Sequence, residues 1–166
     1  MVVGAHWSSS FAPDSPYINM TGSDDWTCTD TVCIPHSDAI WQHIFASGEA
    51  WGLQTIKVDH LYESLRAHSE CFTDPFLAHE FLGGIAEGAA AHNVDVMWCM
   101  AYPNVLMQSV MYKAATHARA SADSHPSSTN YVGFAGESTW IWALGLWPFK
   151  DTFYSNSSEL TQVRIV

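Results

Sequence analysis

The chain has 166 residues, which is enough for one domain with a substantial hydrophobic core. Hydrophobic residues make up 48% and charged residues only 14%, and this balance excludes a disordered chain. The net charge is −11 with only six Lys and Arg, so nucleic acid is not an expected partner. No apolar run approaches the roughly 18–20 residues that a membrane span requires. An acidic chain with eight tryptophans suits a neutral polar ligand such as a sugar.

Several local features favour a secreted or lumenal protein whose signal peptide is missing from this chain. The N-terminal residues lack the basic and apolar regions of a secretory signal. Asn19 and Asn156 each begin an N-glycosylation sequon. Cys28 and Cys33 lie five residues apart in a Thr- and Asp-rich stretch, which predicts a small disulfide loop. Cys71 and Cys99 are either a second pair or two buried thiols.

The first part of the chain is predicted to be irregular and then to alternate between helices and strands. Residues 1–36 are rich in Ser, Pro, Asp, Asn and Gly without a persistent period. Residues 37–50 have a helical apolar face, and residues 53–58 form an apolar, β-branched strand. Asp74 and Pro75 are a helix cap and a first helical residue, and this helix is expected to run to about His92.

The second part continues the alternation. We expect a buried strand over 94–101, a short helix over 104–112 and a strand over 115–121. Residues 131–135 are expected to form a fourth short strand, and residues 137–146 a helix. Trp147, Pro148 and Phe149 are expected to break that helix, and no element is assigned from Lys150 onward.

Strands that alternate with helices predict βα units on a parallel sheet. Three or four such units amount to about half of a (β/α)8 TIM barrel, and a small open α/β sheet is the alternative. The predicted organisation is an irregular segment over 1–36 and a partial barrel over 37–166. No Gly-x-Gly-x-x-Gly or Walker loop follows any predicted strand, which disfavours a nucleotide-binding fold.

The expected chemistry lies at the carboxyl ends of the strands, which share one edge of a parallel sheet. Asp59 and Asp123 each follow a predicted strand, and a pair of carboxylates forms the catalytic groups of a glycosidase. Lys57 and Arg119 could hold a carboxylate ionised and bind sugar hydroxyls. The simpler interpretation is that Asp59 caps the following helix, or that these residues form two structural ion pairs.

Three segments resemble one family, the α-galactosidase-like retaining glycoside hydrolases, over about residues 45–125. The segment Trp-Gly-Leu-Gln-Thr-Ile-Lys-Val-Asp over 51–59 resembles the family's Lys-x-Asp strand. The segment over 96–103 is similar to a Cys-containing strand of the family that ends in Trp-Pro. The segment His-Ala-Arg-Ala-Ser-Ala-Asp over 117–123 resembles the family's His-x-Arg-x-x-x-Asp.

The resemblance implies a (β/α)8 barrel fold and a role for each matching residue. Asp59 would be the catalytic nucleophile and Asp123 the general acid/base. Substrate contacts are expected from Lys57, Arg119, Trp51 and Tyr102. The substrate is expected to be a carbohydrate, and no cofactor or metal is implied. A missing chain segment or a protein partner is expected to complete the barrel.

Two other functions compete with this one. A metal-dependent hydrolase is suggested by nine histidines and by four potential ligands near strand ends: His60, His117, Asp123 and His125. No His-x-His or His-Glu-x-x-His motif supports it. A non-catalytic structural or interaction subunit with the same fold is suggested by the aromatic C-terminal part of the chain, where side chains could serve an interface.

Overall fold

A computed structural model of the chain describes residues 3–121 and 128–151. Its centre is a five-stranded parallel sheet, and a separate two-stranded antiparallel hairpin lies between the first strand and the first long helix. The parallel strands are β1 (Gly4–Ser8), β4 (Thr55–Asp59), β5 (Asp95–Trp98), β6 (Ala115–Arg119) and β7 (Trp147–Phe149), and the hairpin strands are β2 (Trp26–Cys28) and β3 (Cys33–Pro35). An α/β fold with a parallel sheet is therefore confirmed.

The helices fill the connections between the parallel strands. The α-helices are α1 (Ile18–Thr21), α2 (Ala39–Glu49), α3 (Leu61–Ala67), α4 (Pro75–Ala91), α5 (Pro103–Gln108) and α6 (Ser128–Ala143). Single-turn 3-10 helices occur at Ser23–Asp25, Ser69–Phe72 and Ser109–Met111. Every helix in the part of the chain that the structure describes is too short or too polar to cross a lipid bilayer.

The strands follow one another across the sheet in the order β1-β4-β5-β6-β7, and every pairing is parallel. Right-handed crossovers that always advance in one direction put the connecting helices on one face. Alternate strand residues on that face are completely buried: Ile56, Val58, Val96, Trp98 and Ala118. The residues between them, which point to the other face, include the half-buried Lys57, Met97, His117 and Arg119.

Helix α4 begins and packs as its sequence predicts. The Asp74 side chain accepts hydrogen bonds from the backbone amides of Phe76 and Leu77, and Pro75 occupies the first turn. The absence of a side chain at Gly88 allows α4 to lie close to α2. A β-carbon at this position would lie only 2.8 Å from Cβ of Trp41. This contact fixes two crossover helices side by side on the covered face.

The prediction that residues 1–36 are irregular is wrong at β1 and in the hairpin. Strand β1 pairs with β4 in parallel register, with His6 opposite Lys57 and Ser8 opposite Asp59. None of its residues is fully buried, so the strand does not require the regular alternation of apolar and polar residues by which a strand is recognised. Tertiary pairing therefore creates a strand that hydrophobic periodicity does not reveal.

One prediction in the last part of the chain is also wrong, and one strand there is missed by the sequence. Residues 131–135 belong to helix α6 rather than to a strand, since this segment crosses over between the parallel strands β6 and β7. The helix ends at Ala143, before residues 147–149, and these residues form strand β7, which the sequence does not predict. Pro148 is tolerated there because β7 is the last strand of the sheet within the described residues.

The structure joins Cys28 and Cys33 by a disulfide across the β2–β3 hairpin, as predicted. Cys71 and Cys99 are separate buried thiols, which resolves the alternative left open by the sequence. Asn19 is exposed in helix α1, and Asn156 lies outside the described residues. Glycosylation at either asparagine stays a prediction.

Candidate active site

Charged side chains from four strands converge at the carboxyl edge of the sheet, on the face that the helices do not cover. Lys57 and Asp59 come from β4 and Arg119 from β6. Asp151 lies two residues beyond the end of β7, and His6 reaches the group from β1. We call these five residues the carboxyl-edge cluster.

Asp59 ends β4 and is the most enclosed carboxylate of the cluster, with 10% of its side chain exposed. Its Oδ1 accepts a hydrogen bond of 2.8 Å from the backbone amide of His60. Its Oδ2 lies 2.8 Å from Nε2 of His6 and 3.4 Å from Nζ of Lys57. Asp59 thus has a donor or a cation on each oxygen, although it lies in a largely dehydrated position.

Asp151 bridges the two permanent cations. Its Oδ2 lies 2.6 Å from Nζ of Lys57 and 3.1 Å from an Nη of Arg119. Lys57 is therefore shared between Asp59 and Asp151. Since both Oδ2 atoms contact one ammonium nitrogen, they can be no more than about 6 Å apart.

Cys99 lies one residue beyond β5, between the two carboxylates. Its sulfur is 3.8 Å from Oδ2 of Asp151, and its thiol also serves as a donor to Asp59. A single thiol proton can satisfy only one carboxylate at a time. Burial, reinforced by the hydrogen bond to Asp59, raises the pKa of Cys99 to about 12, so the group remains a thiol at neutral pH.

The cluster keeps both of its carboxylates ionised. Burial opposes the charge on Asp59, but hydrogen bonds from Cys99 and the His60 amide, together with the charge of Lys57, lower its pKa well below the usual range. Burial likewise opposes the charge on Asp151, while Lys57 and Arg119 lower its pKa. An ionised carboxylate can act as a nucleophile or stabilise a cation, but it cannot donate a proton as a general acid.

The backbone at this edge of the sheet is unusual. Three non-glycine residues adopt positive φ within two residues of the carboxyl ends of neighbouring strands: His60 after β4, Met100 after β5 and Ser121 after β6. Their φ values are 61°, 53° and 63°. Left-handed backbone at non-glycine residues is uncommon and tends to occur at functional sites. Three of the four such residues in the described part of the chain therefore lie at the edge that carries the charged cluster, and the fourth, Asn93, precedes the amino end of β5.

The structure brings together some of the predicted site residues and separates others. Lys57, Asp59 and Arg119 share the cluster, and Tyr102 lies at the same edge beyond β5. Trp51 lies before the amino end of β4, whereas Asp59 lies at its carboxyl end. These two ends of the strand are about 13 Å apart. There it lines a separate apolar pocket of about 140 Å³ beside β1 and α2. Asp123 lies outside the described residues.

Three members of the site are absent from the sequence prediction: His6, Cys99 and Asp151. The signal for Asp151 was an acidic residue just after the apolar triplet over 147–149, which is the pattern that identified Asp59. The sequence carries no signal for His6, because the residues of β1 do not show the pattern of a strand. For Cys99 the sequence predicts a disulfide partner or a buried thiol, and no contact with a carboxylate.

The histidines proposed for a metal site are dispersed in the described part of the chain. His60 Nδ1 lies 3.8 Å from Glu63, whereas His117 contacts the hydroxyl of its neighbour Thr116. Within residues 3–121 and 128–151, no three His, Cys, Asp or Glu side chains are arranged to hold a metal ion. Asp123 and His125 lie outside those residues.

Comparisons with protein-family models, with curated proteins and with solved structures give no match to this chain.

Proposed function

We propose that this protein is a glycoside hydrolase of the retaining type, with Asp59 as the nucleophile and Asp123 as the general acid/base. The observation that carries the proposal is the environment of Asp59. This carboxylate ends a strand, is nearly buried and is kept ionised by Lys57, the His60 amide and Cys99. A glycosidase nucleophile needs an ionised carboxylate at the site where the sugar cation develops.

The protonation states in the cluster support different roles for the different carboxylates. Retaining glycosidases use two carboxyl groups about 5–5.5 Å apart, one ionised and one able to donate a proton. Asp151 shares Lys57 with Asp59, but its two cationic partners keep it ionised, so it is a poor general acid. We assign to Asp151 the positioning of Lys57 and Arg119, and the proton donor remains Asp123.

The strand order supports the further proposal that this sheet is part of a (β/α)8 barrel. In such a barrel each strand pairs with the next one along the chain, and the active site lies at the carboxyl ends. The sequential order of the five strands and the position of the carboxyl-edge cluster both agree with this arrangement. Remaining strands from a longer chain or a partner would then cover the open face. The disulfide is compatible with a secreted or lumenal setting.

The test is hydrolysis of a panel of p-nitrophenyl α- and β-glycosides by the wild-type protein and by Asp59→Asn. We expect measurable turnover with retention of anomeric configuration, and a loss of about 1,000-fold or more in kcat in the variant. Asp95→Asn is the matched control, because Asp95 is an exposed carboxylate at the amino end of the neighbouring strand β5. Full activity in Asp59→Asn would show that Asp59 is not the nucleophile.

A non-catalytic subunit is the second candidate, and one observation favours it. His6, Lys57 and the His60 amide already satisfy both oxygens of Asp59, as a structural ion-pair network would require. If the folded protein turns over no glycoside in the panel, this candidate replaces the first.

A further inference from the structure

Three aromatic rings lie on the segments that follow β4 and β5 in the chain. Tyr62 and Tyr102 have ring centroids 4.4 Å apart and planes inclined at 54°. Phe72 meets Tyr102 with a centroid distance of 6.2 Å and an interplanar angle of 74°. Because the planes are steeply inclined, the three rings form a corner rather than a flat stack. We call this group the aromatic corner.

The corner lies at the same edge of the sheet as Asp59. Tyr62 is in the first turn of α3, three residues beyond Asp59, so their Cα atoms are at most about 11 Å apart. Tyr102 immediately precedes α5, which follows β5, and β5 is the hydrogen-bonded neighbour of β4. A ligand whose reacting atom lies at Asp59 can therefore extend over these rings.

All three rings are at least partly accessible, although Tyr102 also packs against the hydrophobic core. Phe72 is 55% exposed, and Tyr62 and Tyr102 are half-buried. Polar side chains border them: an Nη of Arg66 donates to the Tyr62 hydroxyl at 3.1 Å, and its guanidinium carbon lies 5.9 Å from the centre of that ring. His60 and Glu63, each about half exposed, lie on the same helical turn as Tyr62.

This combination fits a sugar ring better than other ligands. A pyranose offers apolar C–H faces to aromatic rings and hydroxyls to flanking Arg, Glu and His side chains. A strongly anionic polymer is disfavoured by the net charge of −11. We propose that Tyr62, Phe72 and Tyr102 form a carbohydrate subsite that binds the sugar unit next to the bond cleaved at Asp59. This inference rests on the proposed function and adds Tyr62 and Phe72 to the substrate-binding residues.

The test measures binding and turnover separately. Maltose, cellobiose, melibiose and lactose are titrated into the wild-type protein, Tyr62→Ala and Phe72→Ala by calorimetry, and KM is measured on the best aryl glycoside. We expect each variant to weaken disaccharide binding or to raise KM by about tenfold. Tyr62→Phe, which retains the ring, should stay within about twofold of the wild-type protein.

Phe76→Ala is the matched control. Phe76 is an exposed aromatic residue in the first turn of α4, with 73% of its surface accessible, and it makes no ring contact with the corner among the described residues. Its removal should leave binding unchanged. Phe72 is itself exposed, so Phe72→Ala should fold even if the half-buried Tyr62 does not tolerate truncation.

The outcomes separate the two proposals. If both alanine variants turn over substrate with unchanged KM and unchanged binding, the proposed subsite is wrong and the proposed hydrolase function stands. Disaccharide binding that depends on Phe72 and Tyr62, without any turnover, would support the subsite and remove the hydrolase. Failure of all four disaccharides to bind, together with absent turnover, would overturn both.

Discussion

At the scale of single residues, the charge on Asp59 is the feature on which the proposed function rests. Lys57 supplies a cation to Asp59 from the same face of the same strand, two residues away. The sequence suffices to predict this pair, because Lys-x-Asp at the end of an apolar strand places both side chains together. The contacts His6–Asp59, Lys57–Asp151 and Cys99–Asp151 join residues 53, 94 and 52 positions apart, and no local pattern predicts them.

Asp151 should matter because it restrains two cations at once. In Asp151→Asn, Lys57 and Arg119 lose an anionic partner, so Lys57 is free to move toward Asp59. We expect a decrease of about 10- to 100-fold in kcat/KM and a loss of about 1–2 kcal/mol in the free energy of unfolding, since the group is about one-quarter exposed and solvent screens part of its interaction. Steady-state kinetics and urea denaturation measure the two effects.

A double-mutant cycle separates positioning from a general loss of stability. If Asp151 acts through Lys57, Lys57→Met and Asp151→Asn should be strongly non-additive in kcat/KM. Asp95→Asn again serves as the control for removal of an exposed carboxylate. Additive effects of the two substitutions would show that Asp151 does not act through Lys57.

At the scale of elements, sequence patterns predict those parts of the fold whose cause is local. The cap of α4 and the apolar strands β4, β5 and β6 follow from nearby residues, and their positions agree with the structure within a few residues. Strands β1 and β7 are partly exposed, and they exist because a neighbouring strand offers hydrogen bonds. The segment over 131–135 has strand-like residues, but the crossover from β6 to β7 makes it helical.

The contact between α2 and α4 gives a test of packing. Gly88→Ala places a methyl group 2.8 Å from Cβ of Trp41 and 3.3 Å from a ring carbon of Phe45, in a fully buried interface. We expect a loss of about 1–3 kcal/mol in the free energy of unfolding, measured by urea denaturation.

Gly133→Ala is the control for that substitution. Gly133 lies within helix α6 and has open space where a β-carbon would be. Alanine should therefore leave stability unchanged or raise it by up to about 1 kcal/mol through helix propensity. Equal losses in both variants would mean that α2 and α4 do not pack closely at Gly88.

At the scale of the whole molecule, the carboxyl-edge cluster links stability to pH. The folded-state pKa values of Asp59 and Asp151 are lowered, so the stability that they contribute is present above their unfolded pKa of about 3.9. That contribution is lost as the pH falls below about 4 toward the folded-state values, because the unfolded chain then binds protons more readily than the folded one.

We expect the free energy of unfolding to fall as the pH is lowered from 5 to 3. This interval extends about one pH unit above and below the unfolded pKa, where the loss of stability begins. In Asp59→Asn the decrease should be smaller, because the variant has no carboxyl group to protonate at this position. Urea denaturation at several pH values measures the slope. An identical pH dependence in the wild-type protein and Asp59→Asn would show that Asp59 is not held ionised by the fold.

The central claim is that Asp59 attacks the anomeric carbon of a sugar, and covalent trapping tests it most directly. The wild-type protein is incubated with activated 2-deoxy-2-fluoro glycosides of several configurations, and its intact mass and peptide masses are measured by mass spectrometry. The account predicts one added glycosyl group on the peptide that contains Asp59, and none on Asp59→Asn. Labelling of a different carboxylate, or turnover of a matching substrate without labelling of Asp59, would contradict it.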